Sequence, residues 1–99
     1  MAIDAIVLNE KDNVATAVQI LKAGQKASVR LGRELHAAVL AEDIPYGHKF
    51  AVRNIAKGED ILKYGEVIGR ATKDIPSGCH AHVQNIESLR GRGDLKGDK

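Results

Sequence analysis

The chain has 99 residues, a formal charge of +2 and a single cysteine. Its length fits one small domain, and one cysteine excludes an internal disulfide and favours a reducing compartment, so cytoplasm is the expected location. No apolar run is long enough for a membrane helix, and the start of the chain lacks the basic residues of a signal peptide. The charge excess lies in the tail from Arg90 to Lys99, and a neutral body with three aromatic residues predicts no nucleic-acid partner.

The first predicted element is a β-strand from Ala2 to Leu8, which is apolar and β-branched. A short helix of about three turns is predicted next. Asp12 or Asn13 can cap it by accepting hydrogen bonds from free amides, and Gly24 can end it. Apolar residues recur at helical spacing between these caps: Val14, Ala17, Val18 and Leu21.

Two further strands are predicted from Lys26 to Leu31 and from Leu35 to Ala41, with Gly32-Arg33 as the turn between them. The second segment also fits a helix by composition. We favour a strand because Ile44 precedes Pro45, and a residue before proline is driven to extended geometry.

One six-residue pattern occurs twice. Asp43-Ile44-Pro45-Tyr46-Gly47-His48 resembles Asp74-Ile75-Pro76-Ser77-Gly78-Cys79, and looser copies occupy residues 53–59 and 20–24. In the two close copies proline presets the first turn position, glycine closes the turn, and isoleucine is the natural core anchor. The pattern predicts short strands separated by tight turns in one compact β unit, and not a solenoid.

The segment from Gly78 to Asn85 reads as a strand with two faces. Successive strand side chains alternate, which predicts one face toward the core (Cys79, Ala81, Val83) and one face open (His80, His82, Gln84). The two open imidazoles lie roughly 6.6 Å apart along such a strand. They can share one metal ion, one water or one carboxylate. The alternative is a solvent-facing strand whose histidines have no role.

Further site residues are predicted from their positions beside glycine turns. His48 is the candidate third ligand, because it follows Gly47 as Cys79 follows Gly78. Cys79 itself is expected to point away from the imidazoles. Two lysines and a tyrosine can bind the carboxylate and hydroxyls of an acidic substrate. The substrate-binding candidates are Lys49, Lys63, Tyr64 and Asn85. The side-chain amide of Asn85 can alternatively cap a turn and make no contact with substrate.

Three ordered motifs resemble the SAF domain of the altronate and galactarate dehydratase family: Ile44-Pro45-x-Gly47-His48-Lys49-Phe50-Ala51, Lys63-Tyr64-Gly65-x-x-Ile68-Gly69-x-Ala71 and Gly78-x-His80-x-His82-x-x-Asn85. The resemblance runs from Asp12 to Asp94. In that family the domain begins a long enzyme or forms a separate small subunit, and sulfolactate sulfo-lyase has a similar small subunit. Gln84 stands where the family tends to have a further histidine, and Ala81 where valine is usual.

The resemblance implies a mainly β fold, the β-clip, with the short helix predicted above. It implies a hydro-lyase that removes a β leaving group from a sugar acid, using a divalent metal, iron(II) by expectation, bound mainly by a large subunit. His48, His80 and His82 are then the catalytic candidates, and His80 and His82 the metal ligands. The isolated chain is expected to be inactive, with residues 1–89 forming the SAF-like domain and residues 90–99 a flexible charged tail that tethers the large dehydratase subunit.

Other functions stay open at this point. The chain can be a non-catalytic module that binds a sugar acid, an assembly module, or the small subunit of a sulfolactate sulfo-lyase. The sequence does not choose between hydroxide and sulfite as leaving group, and it leaves self-association open.

Overall fold

A computed structural model describes residues 3–88 of the chain. Within that range the chain forms nine strands and no helix. The strands are β1 (Ala5–Val7), β2 (Val14–Ala17), β3 (Lys26–Leu31), β4 (Glu34–Val39), β5 (Lys49–Ala51), β6 (Asp60–Lys63), β7 (Glu66–Ala71), β8 (His80–Ala81) and β9 (Ile86–Ser88). The expected mainly β fold is confirmed. The predicted tail, residues 90–99, lies outside the described residues.

The strands form two sheets. Six strands follow the order β4-β3-β1-β2-β5-β8, and three follow the order β6-β7-β9. β1 pairs with β3 in parallel, and the other pairs are antiparallel. The predicted strand from Lys26 to Leu31 is β3, and the ambiguous segment after Gly32-Arg33 is the strand β4.

The predicted helix after Asp12 is wrong. Val14–Ala17 is the strand β2, which pairs with β1 on one side and β5 on the other. Its central position buries both faces: Val14, Ala15 and Ala17 are each 1% exposed. A short apolar run buried on both sides has no strict alternation, so its spacing also fits a helix. Gly24 does adopt a left-handed conformation, with φ +86°, but in a β-turn.

The fourfold sequence pattern is a structural repeat. Each copy places a buried apolar residue, Leu21, Ile44, Ile55 or Ile75, just before a tight turn. The copies pair by isolated antiparallel bridges, Leu21 with Ile44 and Ile55 with Ile75. Two units follow: a first turn unit (residues 21–48) that encloses the β3–β4 hairpin, and a second turn unit (residues 55–79) that encloses the β6–β7 hairpin.

The hydrophobic core has two clusters that correspond to these units. The first contains Phe50 with Leu21 and Ile44, and the second contains Ile55, Ile61, Ile75 and Ala81. Aliphatic side chains dominate both clusters, as the scarcity of aromatic residues requires. The junction between them is the β5–β8 pair, since Phe50 belongs to the first cluster and Ala81 to the second.

Candidate functional site

Three predicted site residues meet where β5 pairs with β8. These strands run antiparallel with Lys49 opposite Ala81, and one further step in that register places His48 beside His82. His80 lies on β8 itself. The structure therefore brings together the three histidines that the sequence singled out, one from the β5 side of the junction and two from the β8 side.

The three half-buried imidazoles are stacked. Ring centroids are 4.2 Å apart for His48 and His82, 5.1 Å for His48 and His80, and 5.4 Å for His80 and His82, and their planes differ by 15–21°. Nδ1 of His48 lies 2.9 Å from Nε2 of His80. One ring nitrogen from each residue lies within 4.8 Å of the other two. The nitrogens thus converge on a single small volume.

The Gln84 side chain sets the proton position on one ring of the cluster, His80. Its side-chain amide donates to Nδ1 of His80 across 3.1 Å, which leaves the His80 proton on Nε2, facing Nδ1 of His48. The pKa of His80 is lowered by burial and then by the charges of His48 and His82. The pKa of His82 is lowered by burial and then by His48 and Lys49. Both rings are therefore neutral at pH 7, the form that binds a metal or accepts a proton.

A cavity of about 360 Å³ opens beside His82, and Lys49, Lys63 and Tyr64 line it. The pKa of Lys49 is lowered by burial and then by the charge of Lys63. The Lys63 ammonium stands 5.0 Å from the centroid of the Tyr64 ring. Two cations at one opening attract an oxyanion such as a carboxylate. The remaining wall includes apolar side chains: Ile68, Val83 and Ile86.

Asn85 lies in the turn that follows β8. Its Nδ2 donates to the carbonyl of His80 over 2.8 Å, and its Oδ1 accepts from the amide of His82 over 2.9 Å. Asn85 is 8% exposed. These are the contacts of a turn cap, which was the alternative for this residue. They fix the backbone on both sides of Ala81, while direct substrate contact by Asn85 stays a prediction.

The predicted strand from Gly78 to Asn85 is shorter than expected. β8 ends at Ala81. The chain turns there, because the carbonyl of His82 accepts hydrogen bonds from the backbone amides of Asn85 and Ile86. Val83 is 80% exposed, so the prediction that it packs on the core is wrong. Ala81 is buried as predicted, and Cys79 packs against the second core cluster.

Two buried residues that the sequence assigned to a helix cap hold the site hairpin instead. The Asp12 carboxylate accepts hydrogen bonds from the backbone amides of Tyr64 and Gly65, at 2.9 Å and 2.8 Å. The Asn13 side chain accepts from and donates to the backbone of β6. Their polarity and position before an apolar run are the only local signals, and both fit a helix start equally well. Their partners lie 47 to 53 positions away along the chain.

The cluster suits a divalent transition metal. Neutral imidazole is a common ligand for zinc, copper, iron and nickel. Metal–nitrogen bonds of about 2.1 Å place two ligand atoms at most about 4.2 Å apart. Every pair of these nitrogens lies within 4.8 Å in the cluster, so small side-chain movements bring them within that limit.

The sequence also matches proteins of known activity. The sequence pattern described as "Altronate/galactarate dehydratase SAF domain" matches residues 3–89. The chain belongs to the altronate/galactarate dehydratase SAF domain family. This SAF domain is 41% identical over 83 residues to altronate dehydratase of Escherichia coli (strain K12), covering 84% of the chain and 16% of that enzyme.

Two more relatives differ in the share of their own length that the SAF domain covers. It is 42% identical over 73 residues to galactarate dehydratase (L-threo-forming) of the same organism, covering 74% of the chain and 13% of that enzyme. It is 36% identical over 94 residues to (2R)-sulfolactate sulfo-lyase subunit alpha of Chromohalobacter salexigens, covering 91% of the chain and 99% of that subunit. The relatives are lyases, and one is named as a subunit. In the described part of the SAF domain no helix is long and apolar enough to cross a membrane.

Proposed function

We propose that this SAF domain is the small component of a metal-dependent hydro-lyase acting on a sugar acid of the altronate or galactarate type. The observation that supports this most is the meeting of His48, His80 and His82 beside a cavity with two lysines. A large subunit completes the site and provides its main walls, and the SAF domain closes over it. Location in the cytoplasm, expected from the lone cysteine, stays a prediction.

The cavity residues bind and orient the substrate in this proposal. Lys49 and Lys63 hold the carboxylate by charge-assisted hydrogen bonds, and Tyr64 contacts a hydroxyl. A carboxylate held in this way lies next to His82, which lines the same cavity. The elimination takes a proton from the carbon beside the carboxylate and releases the β leaving group. A base takes that proton, and an acid protonates the leaving group as it departs. An imidazole of the cluster can serve in either role when it is not bound to the metal.

His80 and His82, with His48 as the third ligand, would contribute ring nitrogens to one divalent metal, iron(II) by expectation, which the large subunit would bind mainly. The metal when bound supplies Lewis-acid assistance to the departure of the leaving group. Gln84 orients His80 from the side away from His48. With its amide oxygen turned toward Nδ1, Gln84 would accept the His80 N–H and leave Nε2 free to bind the metal.

The test is to mix the chain with its large subunit and iron(II) and to measure galactarate and altronate dehydration. The chain alone should be inactive, and the mixture should exceed the large subunit alone. His80→Ala and His82→Ala should each lower kcat by at least about 100-fold, the contribution of a positioned acid or base. His36→Ala, on exposed β4, is the matched control and should keep full activity. Full activity of both site variants would exclude the catalytic role.

A second candidate is the alpha subunit of a sulfolactate sulfo-lyase. The observation that favours it is the match to one such subunit, which is 36% identical over 94 residues. The same reconstituted enzyme, offered (2R)-sulfolactate and galactarate in parallel, separates the two. Release of sulfite without turnover of galactarate would select the sulfo-lyase.

A further inference from the structure

Tyr64 has an unusual backbone conformation. Its φ is +60°, and among residues 3–88 it is the only residue other than glycine with positive φ. This left-handed region is disfavoured for side chains with a Cβ, and glycine, asparagine and aspartate tolerate it best. Tyr64 and Gly65 form the two-residue turn between β6 and β7, since Lys63 pairs with Glu66. Such turns favour Asn-Gly, which makes tyrosine a poor choice for the fold alone.

The hairpin of the first turn unit can be compared with the β6–β7 hairpin at the same turn position. Its hairpin, β3–β4, also has a two-residue turn, because Leu31 pairs with Glu34. The residue equivalent to Tyr64 there is Gly32, with φ +63°. The first position of the turn thus has a positive φ in both hairpins, and it is glycine in the β3–β4 turn and tyrosine in the β6–β7 turn that lines the cavity. The second positions differ, because Gly65 has φ +74° whereas Arg33 has no positive φ, so the two turns are of different types.

The Asp12 carboxylate holds the Tyr64 turn in place. It accepts the amides of both turn residues over 2.9 Å and 2.8 Å, and Asp12 is 2% exposed. The Asn9 side chain packs against the turn, so close that a Cβ on Gly65 would lie 2.8 Å from it. These contacts act on the backbone and fix the turn whatever side chain residue 64 carries.

The Tyr64 side chain contributes little to the core. It is 59% exposed, it lines the cavity beside His82, and the Lys63 ammonium stands over its ring. Burial therefore does not explain why a tyrosine occupies a disfavoured conformation. Non-glycine residues held in such conformations cluster at functional sites.

We propose that the buried Asp12 carboxylate holds Tyr64 in a left-handed conformation so that its phenol contacts the carboxylate-bearing substrate, at a cost to the stability of the fold. This inference rests on the function proposed above and adds Asp12 as a positioning residue. Tyr64 touches the substrate, and Asp12 acts through Tyr64.

The stability cost is tested on the full chain alone. Tyr64→Asn gives the favoured Asn-Gly turn and should raise Tm by about 4 °C or more. Tyr46→Asn is the matched control, because Tyr46 is 69% exposed in another tight turn but has no positive φ. It should not raise Tm. A Tm for Tyr64→Asn equal to or below that of the parent chain would overturn the strain argument.

The contact with substrate is read from tyrosine emission. The chain has two tyrosines and no tryptophan, so Tyr46→Phe leaves Tyr64 as the only strong emitter. Galactarate at millimolar concentrations should change that emission, and glucose, which has no carboxylate, should not. By calorimetry Tyr64→Asn should weaken galactarate binding about tenfold, the effect of one lost polar contact. An unchanged emission or an unchanged affinity would overturn the contact.

The role of Asp12 is tested by a double-mutant cycle. Asp12→Asn should weaken galactarate binding in the parent chain and should have no further effect in the Tyr64→Asn chain, because Asp12 acts only through Tyr64. Equal losses in both backgrounds would show that Asp12 acts on the fold in general, and would overturn the positioning role. His80→Ala should leave the emission change intact. Failure of the catalytic proposal and failure of this inference are therefore distinguishable.

Discussion

At the scale of single residues, the surroundings of two histidines in the cluster, His80 and His82, favour their neutral forms. Burial and the neighbouring charges lower the pKa of His80 and of His82. The unfolded chain has no such environment, so its histidines titrate at their ordinary value of about 6.5. Below that pH the unfolded chain binds more protons than the folded chain, and the free energy of unfolding falls as the pH falls.

We therefore predict that Tm of the metal-free chain decreases between about pH 7 and pH 5, the range below the ordinary histidine pKa. Above about pH 7 these two groups should add no pH dependence. Thermal unfolding of His80→Gln should show a shallower decrease. His36→Gln is the control, since His36 lies on exposed β4 beside Glu34. An unchanged slope in His80→Gln, or an equal change in both variants, would contradict the assignment.

The residues of the cluster were predictable because they belong to a repeated local pattern. His48 was expected beside His80 and His82 because it follows Gly47 as Cys79 follows Gly78. The anchors of the site were not predictable. Asp12 serves a turn 52 positions away, and no local signal separates that from a helix cap.

At the scale of elements, the four tight turns set the shape of the fold, but they differ in how closely other atoms pack against their glycines. Gly58 and Gly78 both close turns with positive φ, +89° and +88°. A Cβ on Gly58 meets no atom within 4 Å, whereas a Cβ on Gly78 would collide with the carbonyl oxygen of Val39. The turn before β8 is thus packed against the end of β4.

This difference gives a paired prediction. Gly58→Ala should lower the free energy of unfolding by about 1 kcal/mol, the cost of a left-handed alanine. Gly78→Ala should lower it by about 3 kcal/mol or more, because a backbone atom cannot move aside as a side chain can. Urea unfolding of the two variants checks this. Equal losses would contradict the close packing at Gly78.

Elements with strict alternation or turn residues at both ends were predictable, and centrally placed ones were not. β3 and β4 flank Gly32-Arg33. β3 has the predicted bounds, whereas β4 runs from Glu34 to Val39 and was predicted from Leu35 to Ala41. β2 is buried on both faces, so the spacing of its apolar residues does not distinguish a strand from a helix. The early end of β8 depends on the Asn85 side chain, which makes Val83 exposed although it alternates with Ala81.

At the scale of the whole molecule, the first question is where the domain ends. The family pattern matches residues 3–89, and the charged tail follows. We predict that a chain ending at Leu89 keeps Tm within about 2 °C of the full chain, because charged, glycine-rich segments bury little surface. If the tail tethers the large subunit, the shortened chain should lose association in size-exclusion chromatography. A large fall in Tm would instead place the tail within the folded domain.

The position of the imidazoles at the junction of the two turn units has a consequence for biosynthesis. His48 ends the first unit, while His80 and His82 follow the second, and 32 positions separate the ring nitrogens that lie 2.9 Å apart. During translation, a nascent chain has no complete triad until residue 82 has left the ribosome. A half-made domain therefore offers a single imidazole of this cluster, and any ion that needs all three has to wait until both units are in place.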